Sequence, residues 1–178
     1  MLVGAMQLGI MYLFSFRAYV YLSVSEFLLF TVLTPLYITL IYDLLSKRRL
    51  RWGYLLSAAL AVIGAAIIRY DKVSDHFWTG LMFVQLANLS FAIGMVGYKR
   101  LMETRPMPQH NAFAWFYMGA AIVAVAAWFM LGNPQKLPTT TLQWGVLVWL
   151  GVVASGLGYF MWNYGATQVD AGTLGIMN

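Results

Sequence analysis

The sequence predicts an all-α fold, a polytopic bundle of membrane-spanning helices, and three observations predict it. Of the 178 residues, 61% are apolar and 10% are charged, whereas an ordinary soluble domain carries about 25% charge. The apolar residues gather into six runs, each close to the roughly 20 residues needed to cross about 30 Å of hydrocarbon. The charges collect in the short gaps between them. Lipid offers no partner to an open strand edge, so runs this apolar must be helices. Composition excludes a soluble globular domain, a disordered chain, a coiled coil and a nucleic-acid-binding domain. The expected surroundings are the lipid bilayer, and no nucleic-acid partner is expected. With no cysteine in the chain, thiol catalysis, thiolate metal sites and disulfides are also excluded.

The first run, from Leu2 to Leu22, is too long and too polar to be a signal peptide, with Gln7, Ser15 and Arg17 inside it. Its Tyr12, Ser15, Phe16 and Tyr19 have the i, i+3, i+4, i+7 spacing of one helical face. Arg17 lies about 140° around the helix from Tyr12 at about 100° per residue, close to the end of the run. A cation at that depth needs a partner or a wet cavity. Glu26, just across the Ser23 turn, is the expected ion-pair partner, with anion recognition by Arg17 as the alternative. The second run, Val24 to Leu45, holds Thr31, Thr34 and Pro35 near its middle, where proline removes a backbone bond to the Thr31 carbonyl and predicts a kink. Asp43 and Lys47 have the i,i+4 spacing of a helical ion pair.

The third run, Trp52 to Tyr70, carries small residues every fourth position at Gly53, Ser57, Ala61 and Ala65, a pattern that lets helices approach closely. In the fourth, Phe77 to Tyr98, Gln85 and Asn88 share a face. The fifth, Ala112 to Gly132, has no polar stripe. The sixth, Leu142 to Ala166, has a shorter small-residue ladder at Gly151 and Ser155, and Tyr159, Trp162, Asn163 and Ala166 repeat the spacing of the first run. Polar groups are costly in lipid and usually face a bundle interior. Tyr12, Ser15, Tyr19, Gln85, Asn88, Tyr159, Trp162 and Asn163, with Arg17 as an anion contact, are therefore the candidate substrate-binding residues. The alternative is that they only join helices by hydrogen bonds.

Lys and Arg in short loops are retained in the cytoplasm. Lys47, Arg48, Arg49, Arg51, Lys99, Arg100 and Arg105 fall on one side and Arg69, Lys72 and Lys136 on the other, so the seven-cation side is expected to be cytoplasmic. Trp52, Trp78, Trp115, Trp128 and Trp144 lie near span ends, as interfacial belts require. His76 and His110 fall in opposite loops and cannot share a metal. No paired carboxylates, phosphate loop or nucleophile elbow occurs, so neither catalysis nor a cofactor is expected.

Shifting the first run by 147 positions puts Gly9 on Gly156, Tyr12 on Tyr159 and Ala18 on Gly165, and brings the whole Tyr-led face onto Tyr159, Trp162, Asn163 and Ala166. By the charge rule these two spans run oppositely, as an inverted repeat would make them. In Phe16, Arg17, Ala18 and Tyr19, in Thr34, Pro35 and Leu36, in the basic turn Lys47, Arg48 and Arg49, and in Trp162, Asn163, Tyr164 and Gly165, the chain resembles the drug/metabolite transporter superfamily, in its EamA-like form of two five-helix repeats. The resemblance implies that the six spans are helices three to eight of ten and that the chain is an internal piece of a longer protein. Residues 1–70 would close the first repeat, and 71–178 would open the second and begin the next helix. Residues 31–54, 97–117 and 153–178 are similar to family members that carry biotin in enteric bacteria. That likeness implies a secondary transporter of the bacterial inner membrane for biotin or a similar carboxylate, and leaves room for a homodimer. An exporter of amino acids, amines or drugs is the sibling reading, and an integral-membrane enzyme the reading from another class. The chain departs from many members in being basic at the turn between the second and third helices of the repeat, where they are acidic.

Overall fold

The computed structural model describes residues 1–46 and 76–170, with Gly53, Leu56, Leu60, Ile63, Gly64, Thr173 and Leu174 besides. Helices make up the described elements, and no strand occurs among the described residues. In chain order they are α1 (Leu2–Ala18), α2 (Val24–Thr31), α3 (Thr34–Leu45), α4 (Phe77–Thr104), α5 (Gln109–Leu131) and α6 (Thr141–Ala166). A short 3₁₀ turn at Pro134–Lys136 precedes α6. Val24–Leu45, α4, α5 and α6 are long and apolar enough to cross a membrane, and α1 is a shorter apolar helix. Five of the six expected spans thus have a described counterpart. The third, with its Gly53, Ser57, Ala61 and Ala65 ladder, lies almost wholly outside the described residues, as does the Lys47 half of the Asp43–Lys47 pair.

α4 is the central post, packed by α1 along one side and by α3 along another, with α5 closing over α1. Close approach explains the order. A Cβ on Gly4 or Gly119 would collide with the backbone of Phe116 or Met1, and one on Gly94 would strike Cα and N of Gln7 at 2.6 and 2.7 Å. Without a hydrophobic drive between helices in lipid, such van der Waals contact is what holds them. At the Gly151 and Ser155 ladder expected on α6, a Cβ on Gly151 would meet nothing within 4 Å among the described residues.

Two helices contain π-helical stretches, Ala5–Ile10 in α1 and Leu150–Leu157 in α6. Such stretches fit an extra residue into a turn and often mark functional sites. In α1 the stretch is buried at Gln7, Leu8 and Gly9, whereas no residue of the α6 stretch is buried.

The expected kink near Pro35 is a tightened turn, the break between α2 and α3, at which Val32 and Leu33 keep helical dihedrals and bond to carbonyls three residues back. Val32 and Leu33 separate α2 from α3, and Pro35 sits in the first turn of α3, where its missing N–H costs nothing. The Arg17–Glu26 ion pair is replaced by a capping box. The Glu26 carboxylate folds back to accept from the backbone N–H and the hydroxyl of Ser23, each at 2.6 Å, while the Ser23 Oγ accepts from the Glu26 N–H at 3.3 Å. The sequence pattern was that of a helix start. Arg17 is exposed.

Candidate functional site

Breaking a helix within a membrane orphans backbone groups that must find partners in protein or in a cavity. Here the Phe30 carbonyl, at the end of α2, is met by Asn88 Nδ2 of α4 at 2.9 Å. Asn88 is buried and its amide also approaches Gln85 Oε1 at 3.5 Å. Gln85 Oε1 in turn accepts from the Tyr37 hydroxyl at 3.1 Å. A chain of side chains thus ties α3, α4 and the break together.

Beside the break lies a cavity of about 240 Å³ lined by Met11, Ser15, Phe27, Thr31, Thr34, Ala87, Asn88, Phe91 and Tyr159. It joins α1, α2, α3, α4 and α6. Its walls alternate hydroxyl and amide groups with thioether, methyl and aromatic surface, and none of its lining residues is charged. Such a lining suits a ligand with an apolar body and a few neutral hydrogen-bonding groups. Ser15 is buried, and its hydroxyl approaches Met11 Sδ at 3.3 Å. Thr31 and Thr34 line the same space, although the sequence suggests only a role at the kink for them. Their signal is their position on either side of the break.

Of the sequence candidates, the cavity collects Ser15, Asn88 and Tyr159, with Gln85 behind Asn88. Tyr12 stands next to it. Its ring lies 6.3 Å from that of Tyr159 and stacks on Phe16 at 5.5 Å, and its hydroxyl bonds Ser155 Oγ at 2.9 Å. Tyr19 is elsewhere, 43% exposed and stacked on Phe27 at 4.4 Å. The Tyr-led face of α1 therefore divides, with Ser15 inside and Phe16 and Tyr19 outside. Trp162 lines a second, largely apolar cavity of about 420 Å³ with Gly158, Met161, Gly165, Ala166 and Val169. Asn163 is fully buried and donates to the Tyr159 carbonyl at 3.0 Å, leaving Oδ1 without a partner among the described residues. Arg17 lies two positions beyond Ser15, on the exposed side of α1.

Sequence reasoning passes over two polar features. Gln7 is fully buried at the Gly94 crossing, with both amide atoms unpartnered among the described residues. Tyr117 of α5 donates to the carbonyls of Ser155 at 3.2 Å and of Gly156, stitching α5 to the π-helical stretch of α6.

A proline-tightened helix beside a polar, uncharged cavity in a helical membrane bundle is a pattern met at transporter binding sites. Residues 78–178 match the model of the EamA-like transporter family, and the chain belongs to that family. Over all of its 178 residues it is 83% identical to a protein of Escherichia coli (strain K12) named biotin transporter. It is 82% identical to one of the same name from Salmonella typhimurium. It is 52% identical, over 180 aligned positions, to a probable biotin transporter of Pseudomonas aeruginosa. The chain spans 60% of the length of the first two and 63% of the third. No solved structure matches it. It is part of a multi-pass membrane protein.

Proposed function

We propose that the chain forms part of a secondary transporter that carries biotin across the bacterial inner membrane, with the cavity beside the α2–α3 break as its binding site. The observation that carries this reading is the coincidence of the break, the Asn88 bond to Phe30 and the cluster of Ser15, Thr31, Thr34 and Tyr159 around one space. The names of the relatives support the substrate. Biotin joins a ureido ring, which both donates and accepts hydrogen bonds, to an apolar thioether ring and an aliphatic acid. The hydroxyls and amide suit the ureido group, and Met11, Phe27, Ala87 and Phe91 suit the apolar rings. No charged residue lines the cavity; Arg17, two positions past Ser15 on the exposed side of α1, is the proposed contact for the carboxylate as substrate approaches.

The two π-bearing helices are read as equivalent members of inverted repeats, residues 1–70 ending one and 71–178 beginning the other. In support, Ala5–Ile10 moved by 147 positions falls at 152–157, within Leu150–Leu157. The shift, chosen on side chains, also aligns backbone irregularities.

The test is uptake of labelled biotin by cells lacking their own carrier and supplied with the full-length protein, normalised to inserted protein. Ser15→Ala and Tyr159→Phe should each raise the half-saturating concentration at unchanged abundance, and Arg17→Gln should do so for biotin more than for biotin amide. Wild-type uptake by all three variants would overturn the assignment of the cavity.

A further inference from the structure

Lys99, expected to be a solvated loop cation, is 4% exposed. Its Nζ donates to the carbonyls of Val169 at 2.6 Å and Ala166 at 3.1 Å, and lies 3.4 Å from Glu103 Oε1. Ala166 is the last helical residue of α6, so a cation from α4 caps the negative end of another helix. Around it the ends of two more helices are tied in by polar contacts. Glu103 accepts from Tyr42 of α3 at 3.1 Å and from Arg100 at 3.0 Å, and Gln109 of α5 accepts from Tyr98 of α4 and donates to Thr167 Oγ1 at 3.3 Å. At the opposite end of the bundle Leu22 is seated on Gly80 and Phe30 meets Phe77 edge-on, and the Phe30 carbonyl of α2 accepts from Asn88 of α4.

Lys99 follows the cavity residue Phe91 by eight positions on α4, about 12 Å along the axis. By the charge rule that displacement is toward the cytoplasm. We propose that Lys99 is the pin of a cytoplasmic latch that holds α6 against α4 and shuts the cavity from the cell interior, so that releasing its bonds to Ala166 and Val169 lets substrate leave inward. The proposal rests on the transporter reading given above. A cation held by carbonyls suits this task because those acceptors can be rehydrated when the helix end moves away, whereas apolar packing has no such substitute.

The experiment places a single reporter, Ala87→Cys, in the cavity of the full-length protein, with any cysteine outside these 178 residues replaced by serine. Labelling by a membrane-impermeant maleimide is then compared in inside-out and right-side-out vesicles. Lys99→Met is expected to raise the labelling rate from the cytoplasmic face about tenfold, since hydrogen bonds to a charged group are lost, with no rise from the outer face, and Lys99→Arg is expected to restore the parental rate. Should Lys99→Met fail to insert, Thr167→Val and Glu103→Gln loosen the same latch more gently and are expected to raise the cytoplasmic rate a few-fold. Unchanged rates in the inserted variants, or an equal rise from both faces, would overturn the latch. The assay needs no substrate, so a failure of biotin uptake would count against the substrate assignment and leave this result standing.

Discussion

α1 and α6 carry the same pattern and have opposite surroundings. Each passes through a π-helical stretch, continues as an α-helix and presents a tyrosine near the change, Tyr12 in one and Tyr159 in the other. In α1 the π-helical stretch is enclosed by α4 and α5, with glycines at each crossing, while the N-terminal part of α6 buries nothing from Thr141 to Leu157. Local sequence dictates the helical geometry. In α1 the close approach is made at residues without a side chain, Gly94 of α4 against Gln7 and Gly119 of α5 against Met1.

The largest effect on this contrast should come from filling the enclosed crossing. Gly94→Val would drive atoms into the backbone of Gln7, where neither helix can yield, and is expected to abolish accumulation of inserted protein, measured by quantitative blotting of membranes. Next is Asn88→Leu, which leaves the Phe30 carbonyl only its long 3.5 Å bond from the Leu33 N–H. Losing a hydrogen bond costs about 0.5–1.5 kcal/mol, so the purified protein should melt at a lower temperature and biotin uptake should fall. If both were unchanged, the break would be held by something other than Asn88.

A smaller effect is expected from the two tyrosines. Tyr159→Phe removes a hydroxyl at the cavity wall, worth about 0.5–1.5 kcal/mol, or roughly a two- to twelve-fold rise in apparent Kd. Tyr12→Phe should instead behave as a loss of the bond to Ser155. Ser155→Ala would then add little on top of it, and a double-mutant cycle in melting temperature separates this from ligand contact. The smallest effect belongs to Gly151→Ala, within about 0.5 kcal/mol, since the added methyl meets open space. A large loss of inserted protein there would mean that this face of α6 is covered in the full-length protein, and the contrast with α1 would be one of partners rather than of sequence.

Much of this was legible beforehand because membrane helices are written in long apolar runs, and an amide or hydroxyl inside such a run must face something polar. That logic reached Ser15, Asn88 and Tyr159 and located the interruption near Pro35. Tyr19, on the same stripe, lies outside the cavity and is exposed among the described residues, because a stripe at helical spacing does not say where the helix leaves the bundle. Glu26 was drawn toward Arg17 by opposite charge, although Ser23 three residues before it already spelled a capping box. Lys99 was counted only as a topological marker. Its burial depends on the end of α6 arriving beside it from 67 positions away, and no local pattern encodes that meeting.

The cavity also lies deep in the span. On α4, Ala87 is ten residues from Phe77 and Phe91 is eight from Lys99, about 15 and 12 Å along the axis. A transmembrane voltage falls across such low-dielectric stretches, and moving one elementary charge through 100 mV is worth about 2.3 kcal/mol. For an anion held in this cavity, that electrical work is divided between the stretch on the Phe77 side and the stretch on the Lys99 side, and membrane voltage should act on both.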